Sequence, residues 1–142
     1  MWKGNLTKNV KITPVGVYRA AATTVVDSDT LDMAGYDAVT FIQTQVDNAS
    51  VFTVIGSDTA AATATAMTAF ATPTVTTTAT SQTVVLEVNR PVYRYLKVHK
   101  AEGVSGIIGP CIAIQTKARD VPITNENAAA AGVRVSLANN PT

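Results

Sequence analysis

The amino-acid sequence predicts an all-β protein of one domain, with antiparallel strands between extended N- and C-terminal arms. Hydrophobic and polar residues alternate over several short segments, which is the two-residue period of a strand with one buried face. Gly, Pro and Asx residues separate these segments. The chain has 142 residues, 46% of them hydrophobic. That is enough for one sizeable core and too little for two ordinary domains.

Residues 1–21 are interpreted as an N-terminal arm. They are polar at first and then apolar from Ile12 to Val17, with Pro14 interrupting the pattern. Trp2 is the only tryptophan and lies at the extreme end of the chain, where a large ring cannot easily join its own core. It is either a disordered tip or an anchor in a partner's pocket, because tryptophan is frequent among interface hot spots.

The main domain is expected to cover residues 22–119. Residues 22–26 are rich in β-branched side chains and predict a strand. Residues 38–46 and 51–55 also have strand composition and follow one another across a short loop. They are therefore predicted to pair as a β-hairpin.

Four aspartates near the start of this domain invite a calcium-binding or acid–base hypothesis: Asp27, Asp29, Asp32 and Asp37. A calcium loop needs a defined series of ligands that ends in a bidentate glutamate, and that glutamate is missing. Asx turns and strand caps explain the aspartates more simply. No metal or cofactor site is predicted.

Residues 59–82 are predicted to be a long loop, since this stretch is uncharged and consists mostly of Ala and Thr. Alanine favours a short helix in its first half, whereas Thr and Pro73 favour extended chain after it. Met67 and Phe70 are its large apolar side chains. The loop is either ordered by a neighbouring subunit, through these two residues, or folded back on its own sheet.

Residues 83–116 show the most regular pattern, and we expect antiparallel strands of one sheet. The first strand ends at a corner where Pro91 biases Arg90 towards extended backbone. In the last strand the three isoleucines share one parity, and a Gly-Pro pair marks a bulge or an edge. The residues predicted to share a face within each strand are Val84, Leu86 and Val88, then Leu96 and Val98, then Ile108, Ile112 and Ile114.

Residues 120–142 are interpreted as a C-terminal arm. Val133, Val135 and Leu137 alternate with polar residues, enough for one short strand. Pro122 and an alanine run separate this strand from the core, so it is expected to pair with an exposed sheet edge.

Enzyme signatures are missing from the sequence. It contains no dinucleotide-binding, P-loop, zinc-protease or serine-hydrolase motif. His99 is the sole histidine and Cys111 the sole cysteine. The local pattern offers no carboxylate that would orient His99, and Cys111 is predicted to be a buried strand residue. We therefore expect a protein that is not an enzyme.

The overall charge is +1, which gives no general argument for nucleic acid or an anionic membrane. Arg90, Arg94 and Lys97 form a local basic cluster with Tyr93 and Tyr95 between them, a composition that can bind single-stranded nucleic acid. A charged rim that faces a protein partner is the more ordinary use. Nucleic acid is therefore not an expected partner. No segment has the roughly 20 apolar residues of a membrane helix, so a membrane is not an expected partner either.

Charged residues make up only 15% of the chain, against roughly 25% in ordinary soluble domains. Permanent interfaces are poor in charge at their centres. The composition therefore favours a component of an assembly.

Two segments of the chain carry a family pattern. The first has the form D-M-x-G-Y, and the second the form V-L-x-V-x-R-P-x-x-R-Y-L-K before an apolar strand that ends in basic residues. With the sequence around them, over residues 22–119, they resemble the head decoration, or cement, proteins encoded beside the major capsid gene of tailed bacteriophages. The matching positions are Asp32, Met33, Gly35, Tyr36, Leu86, Val88, Arg90, Pro91, Arg94, Tyr95, Leu96 and Lys97.

The resemblance implies a jelly-roll-like β-sandwich that is made in the host cytoplasm and sits on the outer surface of the virion as a homotrimer. Its partner would be the major capsid protein, which it would stabilise by binding. The contact regions expected for this role carry the following residues: Trp2, Met67, Phe70, Arg90, Arg94, Lys97, Val133, Val135 and Leu137.

Two other functions stay open. The protein could be another virion component, such as a head–tail completion or tail protein, which would differ in copy number and symmetry. It could also be a glycan-binding surface module, because exposed aromatics on β-sandwiches can bind sugars. The candidate side chains for that function are Tyr18, Tyr36, Tyr93 and Tyr95.

Overall fold

The structure, a computed structural model, describes residues 9–22, 25–46, 51–77, 82–101 and 106–116. Most of them lie in β-strands, and one short 3-10 turn spans Ala64–Ala66. None of the helices in these ranges is long and apolar enough to cross a membrane. The strands are β1 (Lys11–Gly16), β2 (Arg19–Ala22), β3 (Val26–Asp27), β4 (Leu31–Asp32), β5 (Ala38–Val46), β6 (Val51–Ser57), β7 (Thr68–Thr76), β8 (Gln82–Asn89), β9 (Tyr95–Lys100), β10 (Gly106–Ile108) and β11 (Cys111–Thr116).

Two antiparallel sheets form the body of the fold. The first sheet has the strand order β1-β11-β5-β8. The second has the order β3-β9-β6-β7, and β4 also pairs with β9. A small ribbon of β2 and β10 accompanies them. The all-β sandwich expected from the sequence is confirmed.

The strand order within the two sheets is that of a jelly roll. If β3 and β4 count as one interrupted strand and the ribbon is set aside, eight principal strands remain. When these eight strands are renumbered 1 to 8 along the chain, their spatial order is 1-8-3-6 in the first sheet and 2-7-4-5 in the second. This is the double Greek-key arrangement.

The hairpin predicted for residues 38–46 and 51–55 is wrong. β5 pairs with β8 and β11 in the first sheet, whereas β6 pairs with β7 and β9 in the second. The expectation of a single sheet over residues 83–116 is wrong for the same reason, because β9 lies in the second sheet and β8 and β11 in the first. β5 and β6 therefore follow closely in sequence but lie in opposite sheets.

The core lies between the two sheets and is apolar. Alternate residues of β8 and β9 face it, as the sequence pattern predicts. Phe41 and Phe52 are its largest apolar side chains and come from opposite sheets. Burial of this apolar surface is the main force that stabilises the sandwich. The buried core residues are Val15, Leu31, Met33, Val39, Phe41, Val46, Phe52, Val54, Val84, Leu86, Val88, Leu96, Val98, Cys111 and Ala113.

Two segments differ from their predicted roles. Residues 11–16, assigned to the N-terminal arm, form edge strand β1 of the first sheet, with Val15 in the core. Residues 68–76, inside the predicted loop, form β7, which pairs with β6. Thr-rich chain suits a strand once a neighbouring edge supplies hydrogen-bond partners. The C-terminal arm, residues 120–142, lies outside the described residues.

Candidate functional site

The outer surface of the first sheet carries large apolar side chains. In β11 the buried positions are Cys111, Ala113 and Gln115, and the outward ones are the half-buried Ile112 and Ile114. The sequence correctly predicts that the two isoleucines share a face. It places Ile108 with them, but Ile108 is buried, and the Gly-Pro pair between β10 and β11 separates it from their alternation.

The strand register places these isoleucines in rows that cross the whole sheet. Ile112 lies opposite Pro14 on one side and opposite Ile42 on the other, and Ile42 lies opposite Val85. Side chains at such positions are about 5 Å apart and contact one another. A second row contains Ile12, Ile114, Thr40 and Glu87 in the same order of strands.

We call this surface the apolar face and define it by Ile12, Pro14, Thr40, Ile42, Val85, Ile112 and Ile114. Of the outward positions that the structure describes on these four strands, only Glu87 is charged, and it lies on edge strand β8. Val85 on the same strand is 54% exposed. A sheet face of this composition is typical of the centre of a protein–protein interface.

The two motif segments, far apart in sequence, meet at one end of the sandwich. Arg94 donates from Nε to Asp32 Oδ1 and from Nη2 to Asp32 Oδ2, each at 2.9 Å. The bidentate bond with Arg94 is the main cause that lowers the pKa of Asp32. The Arg94 guanidinium also lies 5.0 Å from the centre of the Tyr95 ring. This corner is therefore held by a charge-assisted pair of fixed geometry.

Backbone hydrogen bonds hold the same corner together. The Met33 amide donates to the Arg94 carbonyl at 2.8 Å, and the Arg94 amide donates to Asp58 Oδ1 at 3.1 Å. Arg90 has a φ of 52° and its amide donates to the Asp37 carbonyl at 2.7 Å. The extended backbone expected for the residue before Pro91 is therefore wrong, because the loop at Arg90 closes against the segment that contains Asp37.

An open cleft of about 590 Å³ lies at this corner. Two tyrosines, two aspartates and the backbone of both motif loops line it, and both motif arginines reach it. Phe70 supports one wall, since its ring meets the Tyr93 ring edge-to-face at a centroid distance of 6.0 Å. The polar and aromatic lining residues are Tyr36, Asp37, Asp58, Arg90, Tyr93 and Arg94.

The remaining predicted contact residues are found in different places. Met67 is buried and Phe70 packs on Tyr93, so both serve their own fold, and the expectation that they face a partner is corrected. Phe70 lies in β7, which pairs with β6, and Met67 directly precedes this strand. Lys97 is half-buried on β9, opposite Ile55. Four further contact residues lie outside the described residues: Trp2, Val133, Val135 and Leu137.

His99 does have an orienting carboxylate, contrary to the sequence-based expectation. Its Nδ1 lies 2.7 Å from Asp27 Oδ1, because antiparallel pairing of β3 with β9 sets the two residues opposite each other. Cys111 lies on the inner side of the other sheet, where burial raises the pKa of its thiol to about 12. A protonated, buried thiol is a poor nucleophile.

Lys100 is buried on the inner side of β9 and lines a small cavity of about 60 Å³ together with Gln43 and Cys111. Burial lowers the pKa of Lys100. Gln43 Nε2 donates to the Gly109 carbonyl at 2.6 Å. The described residues include no group of three or more His, Cys, Asp or Glu that could hold a metal ion.

The chain matches no family model, no curated protein and no solved structure.

Proposed function

We propose that this protein is a structural component of a tailed-bacteriophage virion, which binds the outside of the major capsid protein lattice and stabilises the head. The observation that supports this function best is the apolar face. It extends over four strands, and among the outward positions described on these strands only Glu87, on edge strand β8, is charged. In a monomer the exposed part of these isoleucines stays in contact with water, whereas a permanent complex buries it.

The rest of the described chain fits a role without chemistry. The Cys111 thiol is protonated and buried. The pair of His99 and Asp27 joins two strands of one sheet. A protein that binds the assembled lattice, and binds its dissociated subunits less well, stabilises the lattice by mass action. The proposed partner, the major capsid protein, and the proposed homotrimer rest on the sequence resemblance to head decoration proteins.

The copy number of this chain in purified particles tests the proposal. Quantitative mass spectrometry of virions of the encoding phage would compare it with the major capsid protein. A copy number of the same order as the capsid protein is expected for a decoration protein. A small fraction of that number would instead assign the chain to the head–tail connector or the tail, and absence from the particle would refute a virion role.

A further inference from the structure

We infer that the corner cleft between the two motif loops is a binding site for a neutral carbohydrate. The inference does not rest on the proposed structural role, because the cleft and the apolar face have no residue in common. The cleft is at the end of the sandwich, where loops and strand ends meet.

The size and lining of the cleft suit a small polar ligand. Its volume of about 590 Å³ falls in the usual range of roughly 300–1,000 Å³ for ligand sites. Tyr36 and Tyr93 pack against the core and also line the cleft. A sugar ring has an apolar face of C–H groups that packs on aromatic rings, and a rim of hydroxyls that donate and accept hydrogen bonds.

The charges of the lining select a neutral ligand over an ionic one. Asp37 and Asp58 bring two carboxylates to the cleft, and Arg90 and Arg94 bring two guanidinium groups. Arg94 is already paired with Asp32. A lining with both signs disfavours phosphate, which needs an excess of positive charge, and also disfavours a cation. Hydroxyl groups, in contrast, bond well to carboxylates and to guanidinium groups.

Contacts within the fold support the walls of the cleft. The bidentate Asp32–Arg94 pair fixes one wall. A Cβ added at Gly56 would come within 2.8 Å of Tyr93 Cδ2, so the Tyr93 ring sits directly on the strand behind it. Such support reduces the ordering cost of binding.

The backbone of Arg90, which lines the cleft, is strained. A non-glycine residue with φ of 52° has a strained backbone, and such residues cluster at binding sites. The strained backbone places Arg90 on the cleft wall, directly after β8. We assign Arg90 the role of hydrogen-bond donor to sugar hydroxyls, and the Tyr36 hydroxyl the role of a second polar contact.

The test uses the full chain and a printed panel of bacterial surface polysaccharides, with hits confirmed by saturation-transfer NMR. We expect binding of at least one polysaccharide. Arg90→Ala should weaken it by about tenfold, the usual effect of losing a charged hydrogen bond, and Tyr36→Phe should weaken it a few-fold. Arg19→Ala and Tyr18→Phe are matched controls outside the cleft, and they should bind like the wild type.

Two results would overturn the inference. One is that no polysaccharide binds at millimolar concentration; the other is that binding occurs but is unchanged in both cleft variants. Copy number in virions separates this inference from the proposed function, because Arg90→Ala should load onto particles like the wild type. Loss of loading in Arg90→Ala with glycan binding unchanged would show that the corner contacts the capsid instead.

Discussion

Replacing the two central isoleucines of the apolar face by threonine should weaken assembly far more than folding. Ile42 and Ile112 lie opposite each other in the middle of the first sheet, and both are half-buried in the isolated chain. Threonine keeps the β-branched shape that suits a strand. The double variant Ile42→Thr/Ile112→Thr therefore removes apolar surface without disturbing the backbone.

The magnitude follows from the area that remains exposed. Ile→Thr removes roughly two methylene equivalents, at about 0.8 kcal/mol each when fully buried. Since each side chain is already half-buried, about 1 kcal/mol per residue is available to an interface, or about 2 kcal/mol for the pair. That corresponds to roughly 30-fold weaker binding per subunit.

The assay is binding of the purified double variant to particles that lack this protein, followed by co-sedimentation. Val17→Thr and Val92→Thr are matched controls, because Val17 is 72% and Val92 is 77% exposed and both lie outside the apolar face. Thermal unfolding of each variant shows whether the fold is intact. A folded double variant that binds particles as tightly as the controls would refute the assignment of the apolar face as the interface.

Three further predictions concern the fold itself. Phe41→Ala should destabilise the sandwich by about 3–5 kcal/mol in urea unfolding, because the ring is fully buried; a loss below about 1 kcal/mol would contradict its central place in the core. The hydrogen bond from Arg94 lowers the pKa of Asp32 below the ordinary 3.8, so its stabilising effect is complete above about pH 4 and disappears as the pH falls through the folded-state value. Asp32→Asn should therefore lower Tm relative to wild type at pH 7, and this difference should narrow on acidification, whereas Asp29→Asn should have little effect at either pH. Cys111, with a pKa of about 12, should resist thiol reagents at pH 8 until the chain is unfolded with denaturant, and immediate reaction of the native protein would contradict its burial.

Part of the candidate site could be predicted from the sequence. The two motif segments are distinctive in the sequence, and they predict contact roles for Arg90 and Arg94. The contacts of Arg94 with Asp32 and Asp58 were not predictable, because these partners are 62 and 36 residues away from Arg94 along the chain. The same holds for the Asp27–His99 pair, whose members are 72 residues apart.

The apolar face could not be predicted from the sequence. Alternation in β11 assigns Ile112 and Ile114 to one side and Ala113 and Gln115 to the other, but it does not say which side is buried. The structure turns the smaller and more polar set inward, where Gln115 Nε2 donates to the Asp32 carbonyl at 2.8 Å. An outward isoleucine pair is a signal that can be recognised only after the sheets have been assembled.

By itself, the sequence determined that this protein is all-β, where most of its strands lie and which residues of β8 and of β9 share a face. These properties follow from local periodicity, backbone propensity and the positions of Gly and Pro. Only the tertiary structure decided the jelly-roll order, the conversion of Ala/Thr-rich chain into β7, the exposed isoleucine rows and the corner cleft. All four depend on contacts between distant segments, which form only when the complete set of strands competes for partners and for the core.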